Sequence, residues 1–462
     1  MKTIRIGNGC GFWGDSVDAP IKLAQRGRLD YLTLEYLAEL TMSILALQKQ
    51  RDPNAGFAGD FLDVLGTLTP ILAQQSKLKI ITNAGGMNPH ACAHRAKDIL
   101  HKAGLTRRIA VVSGDDLMPN LDVLLAAHPF TNLDTGENLA TIRPRVVSGN
   151  AYLGARPIAE ALAQGADIVI TGRVADASLT VGPALHEFGW KADDWDRLGA
   201  ASVAGHLIEC GAQVCGGLWC NWHEVKDWSD IGYPYVDLAE DGSFTISADA
   251  GPGVNRETLA EQLLYEVGNP ARYLTPDVVA DFTSIALETV DARTMHVTKA
   301  RGLPATDTYK VSIAYRDGFM ASGTLVIAGP DAVTKAKLSG DALLRRIGHA
   351  FDRSNIECLG AGACAPGIFS LLEGKLAGRA SDGMANPSLA RPANEVVLRV
   401  SVHDRQKDKV ERFAKEFAPL VTSGPPGVTG YTTGRPPVRE VFAYWPALIA
   451  KAAVAAQIEV LS

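Results

Sequence analysis

What most constrains this chain is an alternation in its N-terminal part. Short apolar, β-branched runs lie at Thr3–Asn8, Tyr31–Glu35, Leu78–Asn83, Ile109–Ser113 and Asp167–Thr171. Apolar runs without polar alternation suit strands covered on both faces. Between them, Val17–Gln25, Leu37–Gln50, Asp60–Gln74, Pro89–Lys102 and Ile158–Gln164 carry helical patterning. Strands interleaved with helices make βαβ units, so the expected fold is α/β, with a mostly parallel sheet flanked by helices in the N-terminal half.

The pattern then changes. A long helical segment, Trp195–Glu209, leads into the Gly-, Cys- and Trp-rich stretch "ECGAQVCGGLWCNWHEVKDW", which reads as loop. Further on, "RGLPATDTYKVSIAYRDGFMASGTLVIAG" reads as two antiparallel strands around the turn Arg316-Asp317-Gly318. A strand at Glu395–Ser401 and a helix at Lys407–Phe417 follow, and residues 422–440 read as a long Pro/Gly-rich loop. A chain of 462 residues exceeds one minimal domain. The expected division is a parallel α/β domain at 1–225 and a second, mixed α/β lobe with antiparallel strands at 226–462.

Charge and cysteine usage narrow the function classes. Lys+Arg total 45 against 51 Asp+Glu, a net charge of −6 without long runs of one sign, which argues against nucleic acid or an anionic membrane as partner. Seven cysteines, an odd number, fit reduced thiols. No secretory pattern opens the chain and no apolar window is long enough to span a bilayer, so a cytoplasmic protein is expected.

In open parallel sheets, ligands collect beyond the carboxyl ends of the strands. The polar and small residues there are Asn8 with Gly9, Gly11, Trp13 and Asp15; Glu35; Asn83 with Gly85 and Gly86; Asp115; Asn150, ahead of a helix; and Arg173 with Asp176. Turns also recruit Gly, Asn and Asp. Glu35 stands apart, because it ends an otherwise apolar run and no turn requires it. His206 and Glu209 are a further acid–base pair.

Gly9-x-Gly11-x-x-Gly14 has the spacing of a dinucleotide fingerprint. Phe12 and Trp13 fill its last variable positions, however, and Asp15 and Ser16 read as helix caps, which delays the helix past the point where it could meet a pyrophosphate. His90-x-Cys92-x-His94 points its side chains apart on a helix, and the His206/Cys210/Cys215/Cys220/His223 set lacks a Cys-x2-Cys knuckle. No dedicated metal site is expected, although Asp15, Asp115 and Asp176 offer carboxylates to a divalent cation. The Gly-x-Ser-x-Gly elbow and the phosphate-cradling loop are both missing from the sequence.

Together, "GNGCGFWGDS", "LDYLTLEYLAELTMSIL", "ITNAGGMNP", "NAYLGARPIAEALAQGADIVITGRVADASLTVGPALHEFGW", "AGHLIECGAQVCGG" and "RPPVREVFAYWPALI" resemble the acyclic terpene utilization AtuA family. The resemblance spans about residues 4 to 450. It implies catabolism of a branched acyl-CoA, as a hydratase or lyase, with CoA as part of the substrate. Many relatives carry an additional C-terminal ferredoxin-like domain, which leaves open whether a small companion protein supplies that part here. A homo-oligomer is the expected assembly.

The resulting reading makes Glu35 and Asp15 the acid and base, with His206 as a further candidate. Arg173 holds a carboxylate or polarises a carbonyl. Asn8, Gly9, Gly11, Trp13, Asn83, Gly85, Gly86, Asp115, Asn150 and Asp176 contact substrate. Two rival readings are an NAD(P)-dependent oxidoreductase and a non-catalytic subunit acting with a partner protein.

Overall fold

The apolar runs form strands close to where their patterning places them, but the sheet they build is mixed. The computed structural model describes residues 1–365, 393–430 and 434–461. Its strands are β1 (Thr3–Asn8), β2 (Tyr31–Leu34), β3 (Lys79–Thr82), β4 (Ile109–Ser113), β5 (Val146–Ala151), β6 (Ile168–Thr171), β7 (Pro234–Ala239), β8 (Phe244–Ala248), β9 (Tyr273–Leu274), β10 (Val279–Asp281), β11 (Ala286–Asp291), β12 (Thr294–Thr298), β13 (Arg301–Leu303), β14 (Thr308–Ala328), β15 (Arg353–Leu359), β16 (Glu395–Asp404), β17 (Val428–Thr429), β18 (Arg439–Ala450) and β19 (Gln457–Leu461).

One ten-stranded sheet runs β11-β12-β8-β7-β1-β2-β3-β6-β4-β19. Parallel pairing is confined to the block β1-β2-β3-β6-β4. Antiparallel neighbours flank it, β7 on β1 and β19 on β4, and β8, β12 and β11 continue antiparallel. The expectation of a mostly parallel sheet is therefore corrected. β7 and β8 are joined by a short turn, which only antiparallel strands permit. The alternating burial of β7 is that of a strand with one well-covered face.

Helices α1 (Ala19–Arg26), α2 (Glu39–Arg51), α3 (Asp60–Gln74), α4 (Pro89–Lys102), α5 (Leu121–Ala127), α6 (Arg156–Ala163), α7 (Ser178–Phe188), α8 (Trp195–Glu209) and α9 (Arg256–Leu264) accompany these strands. Adjacent strand residues face opposite layers. Ile80 packs with Leu23, Phe61, Leu65 and Ala96 of α1, α3 and α4. Ile81 packs with Ile158, Leu179 and Val203 of α6, α7 and α8. Both faces of the parallel block are thus buried, which leaves the strand ends as the place where polar side chains can gather.

The chain forms two compact units, Met1–Tyr315 with Tyr444–Ser462, and Arg316–Ala443. Residue 225 falls inside the first. The second contains β15, β16, the later part of β14 and β17, paired antiparallel. Helices α10 (Ala332–Ile347), α11 (Lys407–Ala414) and α12 (Phe417–Ser423) also belong to it, and Leu325, Leu343, Leu398 and Phe413 lie in its core.

Two local expectations are corrected. Arg316-Asp317-Gly318 does not reverse the chain, because β14 runs through it. Residues 311–315 pair with β5 and 319–328 with β16, and Gly318 takes φ +95°. Asn150, expected ahead of a helix, lies near the end of strand β5 and precedes α6. The expected loop at 422–440 includes part of α12, all of β17 and the start of β18, and its Tyr431, Thr432 and Thr433 lie outside the described residues. Among the described residues, no helix is long and apolar enough to cross a membrane.

Candidate functional site

The carboxyl ends of β2, β3 and β6 converge on one buried cluster. Glu35 follows β2, and its backbone N–H donates to the Cys10 carbonyl at 2.9 Å. Its Oε1 accepts from Asn83 Nδ2 and, at 2.9 Å, from the Leu37 amide. Asn83 in turn accepts from the Tyr36 amide at 2.8 Å. Arg173, beyond β6, places Nη1 3.6 Å from Glu35 Oε1 and 2.8 Å from Asp176 Oδ1. Nη1 also donates to the Leu37 carbonyl at 3.1 Å, and the guanidinium lies 4.1 Å from the centre of the Tyr152 ring.

Glu35 and Arg173 are almost wholly buried, while the Asp176 side chain is 36 % exposed. Burial, reinforced by the charge of Asp176, pushes the Glu35 carboxyl well above the usual carboxylate range, against the pull of Arg173. Burial opposes the charge of Arg173, but Asp176, Tyr152 and Glu35 outweigh it and raise the guanidinium further. Arg173 therefore stays charged and Glu35 favours its neutral form. Every partner named for the Glu35 carboxyl lies on Oε1, and among the described residues neither the buried Oε2 nor Arg173 Nε has a hydrogen-bond partner.

A second layer fixes this cluster. Asp115 Oδ2 accepts from Asn150 Nδ2 at 2.8 Å and from the Arg173 backbone amide at 2.9 Å. Burial pushes the Asp115 carboxyl up to about 6. Tyr152 donates to Glu39 Oε1 at 2.9 Å, and Lys310 Nζ reaches the same oxygen at 3.1 Å. Asn8, ending β1, spans the end of α8, its Nδ2 donating to the carbonyls of Ile208 (2.8 Å) and Glu209 (2.7 Å). His206 sits in that last turn, 3.2 Å from Glu209 Oε1 through Nδ1 and 2.9 Å from the Gln262 carbonyl through Nε2.

The glycine loop is built differently. Asp15 is held by the Gly11 amide (2.8 Å), the Ser16 amide (2.7 Å) and the Tyr233 hydroxyl (2.5 Å), which closes the loop onto the protein. Helix α1 starts at Ala19, with Asp18 at its N-cap position, so Asp15 and Ser16 do not cap it. A Cβ on Gly9 would come 2.8 Å from Pro20 Cα, and one on Gly11 2.7 Å from the Cys210 carbonyl carbon. These glycines are thus surrounded by protein. Trp13 packs partly buried against the core, and Phe12 is exposed. Gly85 abuts the Thr171 carbonyl, and the Gly86 amide donates to Asn83 O at 3.1 Å. Among the described residues, no group of three or more His, Cys, Asp or Glu is arranged to hold a metal ion.

The structure thus brings Glu35, Asn83, Arg173 and Asp176 together, with Asp115 and Asn150 behind Arg173. Asn8, His206 and Glu209 adjoin them at the end of α8, and Gly9, Gly11, Trp13 and Asp15 belong to a loop tied to Glu35 through the Cys10 carbonyl, with the Asp15 side chain bonded to Gly11, Ser16 and Tyr233. Tyr152, Glu39, Lys310 and Gln262 were missed by sequence reasoning. Tyr152 carried a signal, since it follows Asn150 by two places on an apolar stretch; Lys310 and Gln262 carried none.

Fold and site together define a mixed α/β protein with a buried carboxyl–arginine cluster at the strand ends. No curated protein and no solved structure matches the chain. Residues 4–460 match the family model described as acyclic terpene utilisation family protein AtuA, and the chain belongs to that family. The family name implies a catabolic role.

Proposed function

We propose that this protein is a hydratase or lyase acting on a branched acyl-CoA or a related carboxylate. The observation that carries the reading is Glu35, a buried carboxyl that favours its proton, whose bonded oxygen is Oε1 and whose Oε2 is unengaged. That is the arrangement of a neutral acid, with the carbonyl oxygen accepting and the hydroxyl free to donate.

Adding or removing water beside a thioester needs a donor for the hydroxyl, an acceptor for the C2 proton and a cation for the developing enolate oxygen. Glu35 supplies the donor. Arg173 supplies the cation, with Nε unengaged, and holds either a thioester oxygen or a carboxylate. Asn83 orients Glu35, and Asp176 and Tyr152 fix the guanidinium plane. Asp115 and Asn150 hold the backbone that carries it.

The test is a panel of branched 2-enoyl-CoA and 3-hydroxyacyl-CoA thioesters. Ultraviolet absorbance follows the conjugated thioester, and mass spectrometry follows any cleaved acetyl fragment. Turnover of at least one thioester that Glu35→Gln does not catalyse is expected. A purified protein that converts none of them, at enzyme concentrations comparable to substrate, refutes the reading.

A further inference from the structure

We infer that His206 and Glu209 form one proton-sharing dyad that acts as the base opposite Glu35, with Glu209 the catalytic member and His206 its positioning residue. The inference rests on the reaction proposed above.

The hydrogen bonds set the tautomer. A backbone carbonyl can only accept, so the 2.9 Å contact of His206 Nε2 with Gln262 O requires a proton on Nε2. Nδ1 then faces Glu209 Oε1 at 3.2 Å with a single proton to share. Either neutral imidazole accepts from a carboxylic acid, or imidazolium donates to a carboxylate. Gln262 Nε2 returns a bond to the His206 carbonyl at 3.2 Å, and the Tyr273 and Phe282 rings lie 5.3 and 5.4 Å from the imidazole. The imidazole is therefore held in place. The other carboxylate oxygen, Glu209 Oε2, is buried and has no hydrogen-bond partner among the described residues.

The dyad adjoins the Glu35 cluster through two contacts of α8. Asn8 ties the Ile208 and Glu209 carbonyls to the end of β1. Gly205, one turn earlier, packs so closely on Ala177 that a Cβ would come 2.8 Å from its Cα. Ala177 follows Asp176, whose charge acts on both Glu35 and Glu209. The other groups facing Glu209 are His206, Glu266, Cys210, Tyr265 and Tyr273. Burial pushes the Glu209 carboxyl up to about 7, with His206 pulling down and Asp176 pushing up. A group poised there exchanges protons at neutral pH.

In the dehydrating direction, ionised Glu209 takes the C2 proton of a 3-hydroxyacyl thioester through Oε2. The C–H electron pair becomes the C2–C3 double bond as the C3–O bond breaks. The leaving hydroxyl takes the Glu35 proton and departs as water. Glu209 ends protonated and Glu35 ionised, and exchange of one proton each with solvent restores both. Hydration is the same sequence reversed.

Nitrogen-15 NMR of histidine in the ligand-free protein tests the dyad without any substrate, with His206 assigned through His206→Asn. His206 is expected to keep its Nε2 proton across the titration while Nδ1 titrates above the ordinary histidine range, because Glu209 outweighs the effect of burial. In Glu209→Gln that midpoint should fall below the ordinary range. An unchanged His206 titration in Glu209→Gln, or a proton on Nδ1 with none on Nε2, overturns the dyad. For the catalytic role, Glu209→Gln should retain thioester binding and lose roughly 10²-fold or more in turnover. His206→Asn should lose less and move the pH profile of kcat. Full turnover in Glu209→Gln removes the role. If no thioester is converted but the nitrogen titration behaves as expected, the dyad stands and the proposed reaction falls.

Discussion

Asp176→Asn should shift Glu35 toward its ionised form. Arg173 Nη1 lies 2.8 Å from Asp176 Oδ1 and 3.6 Å from Glu35 Oε1, so these two oxygens are at most about 6.4 Å apart. At an effective dielectric of about 20, two negative charges at that separation repel by about 3 kcal/mol. Asp176 is 36 % exposed, and solvent screening reduces this to about 1–2 kcal/mol. Removing the Asp176 charge therefore favours ionised Glu35 by roughly five- to thirtyfold. Arg173 is then left with Glu35 as its nearest carboxylate. Infrared difference spectra across a pH titration read the protonated carboxyl directly, with Glu35→Gln identifying the band. A Glu35 band that titrates identically in wild type and Asp176→Asn refutes the electrostatic account of the cluster.

Asn8→Ala strips the donor from two carbonyls at the end of α8 and should cost about 1–3 kcal/mol in denaturant-measured stability, with turnover falling too because the Glu209 turn loosens. Asp115, pushed up to about 6 by burial, sits above its unfolded value of about 3.9, so the folded state binds more protons between them and stability falls as pH rises through that window. Both bonds to Asp115 land on Oδ2, which an asparagine carbonyl can replace, so Asp115→Asn should flatten the stability–pH curve between about pH 4 and 6 in chemical denaturation. Millimolar NAD or NADP should leave the melting temperature unchanged, because Gly9 and Gly11 are packed against Pro20 and Cys210; a saturable rise would restore the dinucleotide reading.

Much of the parallel block was legible because its signal is local. Ile80 and Ile81 must both be apolar when each faces a different helical layer, and that requirement shows in the sequence as an unbroken apolar run. Glu35 was legible for the converse reason, a carboxylate where burial penalises charge. The mixed character of the sheet was not, because β7 joins β1 across more than two hundred residues and nothing in either strand names its neighbour. The same holds for β5, whose partner is the start of β14. The turn residues Arg316-Asp317-Gly318 misled for a different reason. Gly318 does take a positive φ, but within a strand that continues. Asp15 illustrates a limit of strand-end reasoning: it lies where a ligand group is expected and is bonded instead to Gly11, Ser16 and Tyr233.

Glu35 is proposed as the working acid, and Glu35→Gln tests this most directly. Glutamine keeps the size of the side chain and an oxygen to accept from Asn83 and the Leu37 amide, but removes the transferable proton. The measurement is kcat on the thioester identified by the substrate panel, alongside the melting temperature and thioester affinity of the same preparation. Unchanged melting, retained binding and a loss in kcat of roughly 10²-fold or more are expected. Full turnover by the folded variant would contradict that role.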